Sequence, residues 1–112
     1  VNVADFEALF ALWRAGDETG SAACFTADGI FHEAHKAPIA GREHIAAHWA
    51  PFFHAGPEWR MTVHDLFGDG RRFAVAYTWE VRTPSGTWSA SAGCAIVHTR
   101  DGKIASWREY KS

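Results

Sequence analysis

The hydrophobic rhythm of the chain changes near its midpoint. Up to Pro57 apolar residues recur at helical spacing; beyond it they alternate. Phe6, Leu9, Phe10 and Trp13 stand at i, i+3, i+4 and i+7, so residues 3–16 predict an amphipathic helix. Asn2 offers its N-cap and Gly16 its C-terminal stop. Residues 17–26 predict a weaker helix, in which Gly20 costs about 1 kcal/mol relative to alanine. Asp28-Gly29 then breaks the chain, and Ile30-Phe31-His32-Glu33 predicts a short strand followed by an irregular stretch through Pro38. Gly41 to Phe53 predicts a third helix with Ile45, Trp49 and Phe52 or Phe53 on its apolar face, which Pro51 is expected to kink or end.

After Pro57, Trp59 to Phe67 predicts a strand and Gly68-Asp69-Gly70 a tight hairpin. Phe73, Val75, Tyr77, Trp79 and Val81 alternate along the next strand; Pro84-Ser85-Gly86 turns the chain into Trp88 to His98. Arg100-Asp101-Gly102-Lys103 makes the last hairpin, leading into Ile104 to Tyr110. The order is α-α-β-α and then four antiparallel strands. This implies an α+β fold in which three helices from the N-terminal half cover one face of a curved, mainly antiparallel sheet. The strand at 73–82 is largely apolar at both parities, so its second face needs a cover too, and a homodimer through that face is expected.

Composition narrows the function classes. The 112 residues are 47% hydrophobic and 21% charged, which fits one globular domain spanning residues 1–112. A net charge of −2 offers no electrostatic footprint for nucleic acid or an anionic membrane. The longest apolar run, Ala8 to Trp13, is far short of the ~18 residues that a membrane span requires. With no secretory signal visible and only Cys24 and Cys94, a reduced, cytoplasmic protein is expected. Eight Phe, six Trp and two Tyr exceed what a minimal core needs, which leaves rings for a ligand cavity or an interface.

Three stretches carry a family resemblance: Gly16-Asp17 after the first helix, Phe25-Thr-Ala-Asp-Gly-Ile-Phe31, and Asp101-Gly-Lys-Ile-Ala-Ser-Trp-Arg-Glu-Tyr110. Together with the element order they resemble the nuclear transport factor 2-like superfamily, in its SnoaL-like branch of polyketide cyclases, ketosteroid isomerases and limonene epoxide hydrolases. The resemblance implies a cone-shaped sheet, and it is specific for fold rather than chemistry. It places Glu33 at or near the base aspartate of the isomerases, but puts their hydrogen-bond donors at Leu9–Phe10 and Gly93–Cys94, which cannot serve. It places Glu109 on the last aspartate of the epoxide hydrolases. Their other two catalytic positions fall on Ala76 and Thr78, and their water-holding residues on Phe31 and Glu33. Neither constellation is complete, and a register shift of one residue would exchange the faces.

The residues themselves supply the candidates. Glu33 lies in an apolar neighbourhood, where desolvation favours a general base near neutrality; the competing reading is a surface carboxylate at a strand end. Glu109 shares a face with Trp107, and with Glu33 it could form an acid–base pair with split pKa values; the competing reading is a salt bridge. His64 faces inward if Thr62 and Leu66 do, and outward if Val63, Asp65 and Phe67 are the inner set. His44 and His48 have i, i+4 spacing that can bind a metal ion, but in a chain with seven histidines they are read as a solvated helix flank. Trp13, Phe31, Trp49, Thr78, Ser91 and Trp107 are expected to contact an apolar ligand. The expected function is thus a small enzyme, needing neither metal nor cofactor, that moves protons on a hydrophobic small molecule, with Glu33, His64 and Glu109 as its groups. The alternative is a non-catalytic binding or dimerisation domain of the same fold.

Overall fold

A computed structural model describes residues 2–111. Helix α1 spans Val3–Arg14 and buries the stripe Phe6, Leu9, Phe10 and Trp13. The Asn2 side chain accepts from the Ala4 and Asp5 amides, and Asp5 accepts from the Asn2 amide, closing a reciprocal cap. Gly16 leaves the helix with φ +71°, a conformation that glycine adopts without the Cβ clash other residues meet.

The second helix, α2, is shorter than the sequence suggests and stops at Ala22 (Glu18–Ala22). Strand β1 then runs Phe25–His32. The expected break at Asp28-Gly29 is a register irregularity inside this strand, between Phe25 and Ile30. The end of the predicted helix, Phe25 and Thr26, goes instead to strand pairing, a tertiary contact that no local window records. The irregular stretch after it hides a two-residue strand, β2 (Ile39–Ala40), paired with Ile30 and Phe31. Helix α3 (Arg42–Ala55) continues through Pro51 instead of ending there. The proline removes one backbone bond, to Ala47; both residues are exposed, so water can take the orphaned carbonyl.

Strands β3 (Trp59–Gly68), β4 (Arg72–Arg82), β5 (Trp88–Arg100) and β6 (Lys103–Lys111) form the expected antiparallel meander. The sheet order is β2-β1-β6-β5-β4-β3, and only β1 against β6 is parallel. This is the mixed, mainly antiparallel α+β sheet of the nuclear transport factor 2-like fold, with its helices on one face. Phe73, Val75 and Tyr77 of β4, Ala95 and Val97 of β5 and Trp107 of β6 point to that face and are buried.

Trp107, with no exposed surface, is the hub: Phe6, Phe10 and Trp13 of α1 lie 6.5, 6.4 and 5.3 Å from its ring. The Phe10 and Trp13 rings meet it edge-on, and contacts of that kind add to the area effect. Replacing Trp107 by alanine is expected to cost about 3–5 kcal/mol, whereas Asn2→Ala costs about 1 kcal/mol; urea unfolding of the two variants measures both.

Candidate functional site

The parallel pairing of β1 with β6 sets up the site. Phe31 lies opposite Trp107 and His32 opposite Arg108. One step further along, Glu33 and Glu109 continue the inward alternation of Phe31 and Trp107, so two carboxylates arrive at the same end of the core. Helix α3 crosses above them. Its His48 Nε2 hydrogen-bonds Glu33 Oε1, and Lys36 Nζ stands 3.4 Å from Glu33 Oε2. The next residue of α3, Trp49, packs against Phe31 at 5.0 Å between ring centroids.

These groups share one cavity of about 480 Å³. Its wall is aromatic: Trp13, Phe31, Trp49, Phe52, Trp59 and Trp79. Trp59 and Trp79 stack at 4.6 Å with 14° between planes, and Phe52 leans on both. The polar groups are few: Glu33, Lys36, His48, Glu109 and Lys111. An apolar wall with a small polar cluster is the usual build of a small-molecule pocket.

Glu109 is the cavity carboxylate whose pKa is raised. Its Oε2 accepts hydrogen bonds from the Tyr77 hydroxyl at 2.9 Å and from the Trp107 indole at 3.4 Å. Burial holds its pKa above the ordinary 4.5, and the nearby Glu33 pushes the same way; the Tyr77 bond and the Lys111 charge pull it partly back. The Tyr77 hydroxyl is pushed far up, first by burial and then by the Glu109 charge, so it stays a donor.

The sequence candidates divide. Glu33, Glu109, Trp13, Phe31 and Trp49 all line the cavity. Trp107 lies beneath it, reaching the site through its bond to Glu109. Ser91 is half-buried on the same side of the sheet, opposite Trp79, but outside the cavity lining. His64 and Thr78 do not belong to the site. They meet on the sheet's other face, His64 Nε2 2.6 Å from Thr78 Oγ1.

The cause is a bulge: Val63 pairs with Tyr77 and Asp65 with Ala76, leaving His64 as the extra residue. Upstream of it Met61 and Val63 turn inward, and downstream Leu66 does, so neither single parity holds along β3. The inner set of β4 is Val75, Tyr77 and Trp79, so Ala76 and Thr78 face away from the cavity. Tyr77 was legible in the strand's own alternation. His48 was visible only as half of a histidine pair, and that pair diverges: His44 Nδ1 turns back to the Ala40 carbonyl while His48 reaches Glu33. Among the described residues no group of three or more His, Cys, Asp or Glu converges to hold a metal ion.

A curved, mainly antiparallel sheet with three helices on one face places the chain in the class of nuclear transport factor 2-like folds. The SnoaL-like domain model matches residues 6–107, and the chain belongs to that family. No curated protein sequence gives a match. Among solved structures, a hypothetical protein of ketosteroid isomerase-like fold from Catenulispora acidiphila, in complex with trimethylamine, is similar at TM-score 0.86. It is 21% identical, over 100% of this chain and 88% of that one. An LEH-like epoxide hydrolase from Mycobacterium tuberculosis is similar at TM-score 0.84 and 17% identity, over 98% of this chain and 81% of that one. A putative SnoaL-like polyketide cyclase from Jannaschia sp. is similar at TM-score 0.73 and 16% identity, over 96% and 85%. At these identities the likeness is one of fold.

The raised pKa of Glu109 has a consequence for stability. The folded chain holds this proton more tightly than the unfolded chain, so the group's contribution is fully present below the ordinary 4.5 and lost as pH rises through its folded value. Glu109→Gln keeps an oxygen for Tyr77 and Trp107 and removes the titration. Urea midpoints measured from pH 4 to 8 are expected to show the unmodified protein losing ground to the variant as pH rises.

Proposed function

We propose that this protein is a small enzyme that moves protons on an apolar molecule bearing a carbonyl, enol or epoxide oxygen. The observation that carries the reading is the meeting of Glu33–His48 with a half-buried Glu109, its pKa raised by burial, at the polar end of one aromatic cavity. Two carboxyl groups in unlike surroundings are the usual arrangement for dividing acid from base. Glu33, with His48 hydrogen-bonded to it, takes the proton of a carbon acid or of an attacking water. Glu109 gives its proton to the substrate oxygen, so the exchange is balanced without any further group. His48 takes the place first given to His64. The epoxide hydrolase and the putative cyclase among the similar structures support a scaffold on which such chemistry is done.

The rings supply orientation and a dry environment; the polar end supplies the chemistry. A screen of 1,2-epoxides and β,γ-unsaturated ketones with apolar bodies is the direct test. With a substrate in hand, Glu33→Gln and Glu109→Gln are each expected to lower kcat by about 10²–10⁴-fold. Full turnover by either variant would falsify its role.

One observation favours a second reading, a binding protein without turnover. Leu9 and Phe10, where the isomerases' helix donor would stand, are core residues at 1% and 3% exposure. Apolar ligands that raise the melting temperature, with no turnover across the whole screen, would select it.

The outer face of the sheet is proposed to pair with a second copy. Exposed Ile96 and Tyr110 lie there beside Ala74, Ala76 and the half-buried Cys94. Light scattering at micromolar concentration is expected to give twice the 12.4 kDa chain mass, and a monomeric mass would remove the proposal.

A further inference from the structure

A half-buried acid is useful when the charge left behind by its proton has a partner. Tyr77 supplies that partner. Its hydroxyl donates to Glu109 Oε2 at 2.9 Å, and the Trp107 indole donates to the same oxygen at 3.4 Å. With two donors on Oε2, negative charge is favoured there and a proton belongs on the other oxygen, Oε1.

Tyr77 reaches that position because of what faces it across the β4–β5 ladder. Its partner is Gly93. A Cβ built on Gly93 would stand 2.7 Å from Cε2 and Cζ of the tyrosine and 2.8 Å from its hydroxyl, closer than such atoms pack. A glycine inside a strand weakens it, and a common reason to find one is close approach by another group. Here the tyrosine ring lies over the bare backbone.

The other titratable or charged groups around the carboxyl are Lys111 on its own strand, Glu33 just past β1, and His48 of α3 with Lys36 across the cavity. The residue opposite Glu109 on β5 is the apolar Ala95.

We propose that Tyr77, seated on Gly93, is a positioning residue that keeps Glu109's proton on Oε1 and holds the charge on Oε2 when that proton leaves. The proposal rests on the reading of Glu109 as the acid and adds to it the group that makes the acid strong enough to give its proton up. Burial alone would lock the proton in place.

The test begins without substrate. The Glu109 side-chain carboxyl is titrated by ¹³C NMR in the free protein, in Tyr77→Phe and in Gly93→Ala. Tyr77→Phe is expected to titrate at higher pH than the unmodified protein, since the donor favouring the ionised form is gone. Gly93→Ala, which displaces the ring, is expected to move the titration the same way without touching the tyrosine itself.

With a substrate from the screen, Tyr77→Phe is expected to lower kcat roughly 10–100-fold with KM little changed, the range for one hydrogen bond to a charged group. The alkaline limb of its pH–rate profile should move up in step with the NMR titration. An unchanged titration in Tyr77→Phe overturns the role of Tyr77. A shift there with none in Gly93→Ala removes Gly93 as its seat. Turnover retained by Glu109→Gln instead removes the acid reading, so the two failures stay distinct.

Discussion

The parallel contact between β1 and β6 is the constraint on which the rest of the molecule depends. Every other pairing in the sheet is antiparallel, and β3 to β6 follow one another through short turns. The non-local connection joins the first strand to the last, with α1 and α2 before it in sequence and α3 and the meander between its two strands. Register in that contact is fixed by burial: a slip of one residue would turn Phe31 and Trp107 to the outer face. The same register that buries the two rings necessarily brings Glu33 and Glu109 inward one step later. The site is in this sense a by-product of the core: once Trp107 is in place beneath α1, the carboxylates have nowhere else to go.

The fold was legible because its signals are local. Four apolar residues at helical spacing with an asparagine before them give α1, and alternating runs between glycine-rich turns give the meander. What was not legible depended on partners distant in sequence. Strand β1 begins at Phe25 because Ile104 pairs with it, and α3 survives Pro51 because its exposed side tolerates the lost bond. The site was half legible for the same reason. Glu33 and Glu109 sit in ordinary alternation next to large rings, so their direction follows from parity. His64 sits at a bulge, where parity fails, and a single extra residue sent it to the opposite face beside Thr78. His48 could be placed on a helix from sequence, but only its crossing over the end of β1 makes it the partner of Glu33.

The aromatic wall and the acidity of the site are one effect seen from two sides. Rings lining a cavity remove water from the groups they surround, and a carboxyl with fewer water contacts holds its proton more firmly. Trp107 contributes both ways: its bulk buries Glu109 from below, while its indole N–H donates back to the carboxyl. Tyr77 repeats the pattern from β4. The pocket therefore opposes its own desolvation with donors from the residues that cause it. Glu33 stands differently, between Lys36 and His48 at the rim, where opposite charge and partial exposure surround it.

This division explains how a site can lack the complete donor sets of the isomerases and the epoxide hydrolases and still be organised for proton transfer. Those sets differ from each other, and what the similar structures share with this chain is the fold. Here the helix position of the isomerases' donor is filled by Leu9 and Phe10, which pack the core. The donors come instead from the strands, as the Tyr77 hydroxyl and the Trp107 indole, and they act on Glu109 rather than pointing to a ligand. Moving the hydrogen bonds from ligand to carboxyl changes what the site can do best. A site rich in free donors stabilises an oxyanion that the substrate keeps; a carboxyl backed by donors is suited to giving the substrate a proton and carrying the charge itself. On the proposed function, the positions of Tyr77 and Glu109 suit reactions that end with a protonated oxygen, such as enol or epoxide chemistry, better than those that pass through a long-lived enolate.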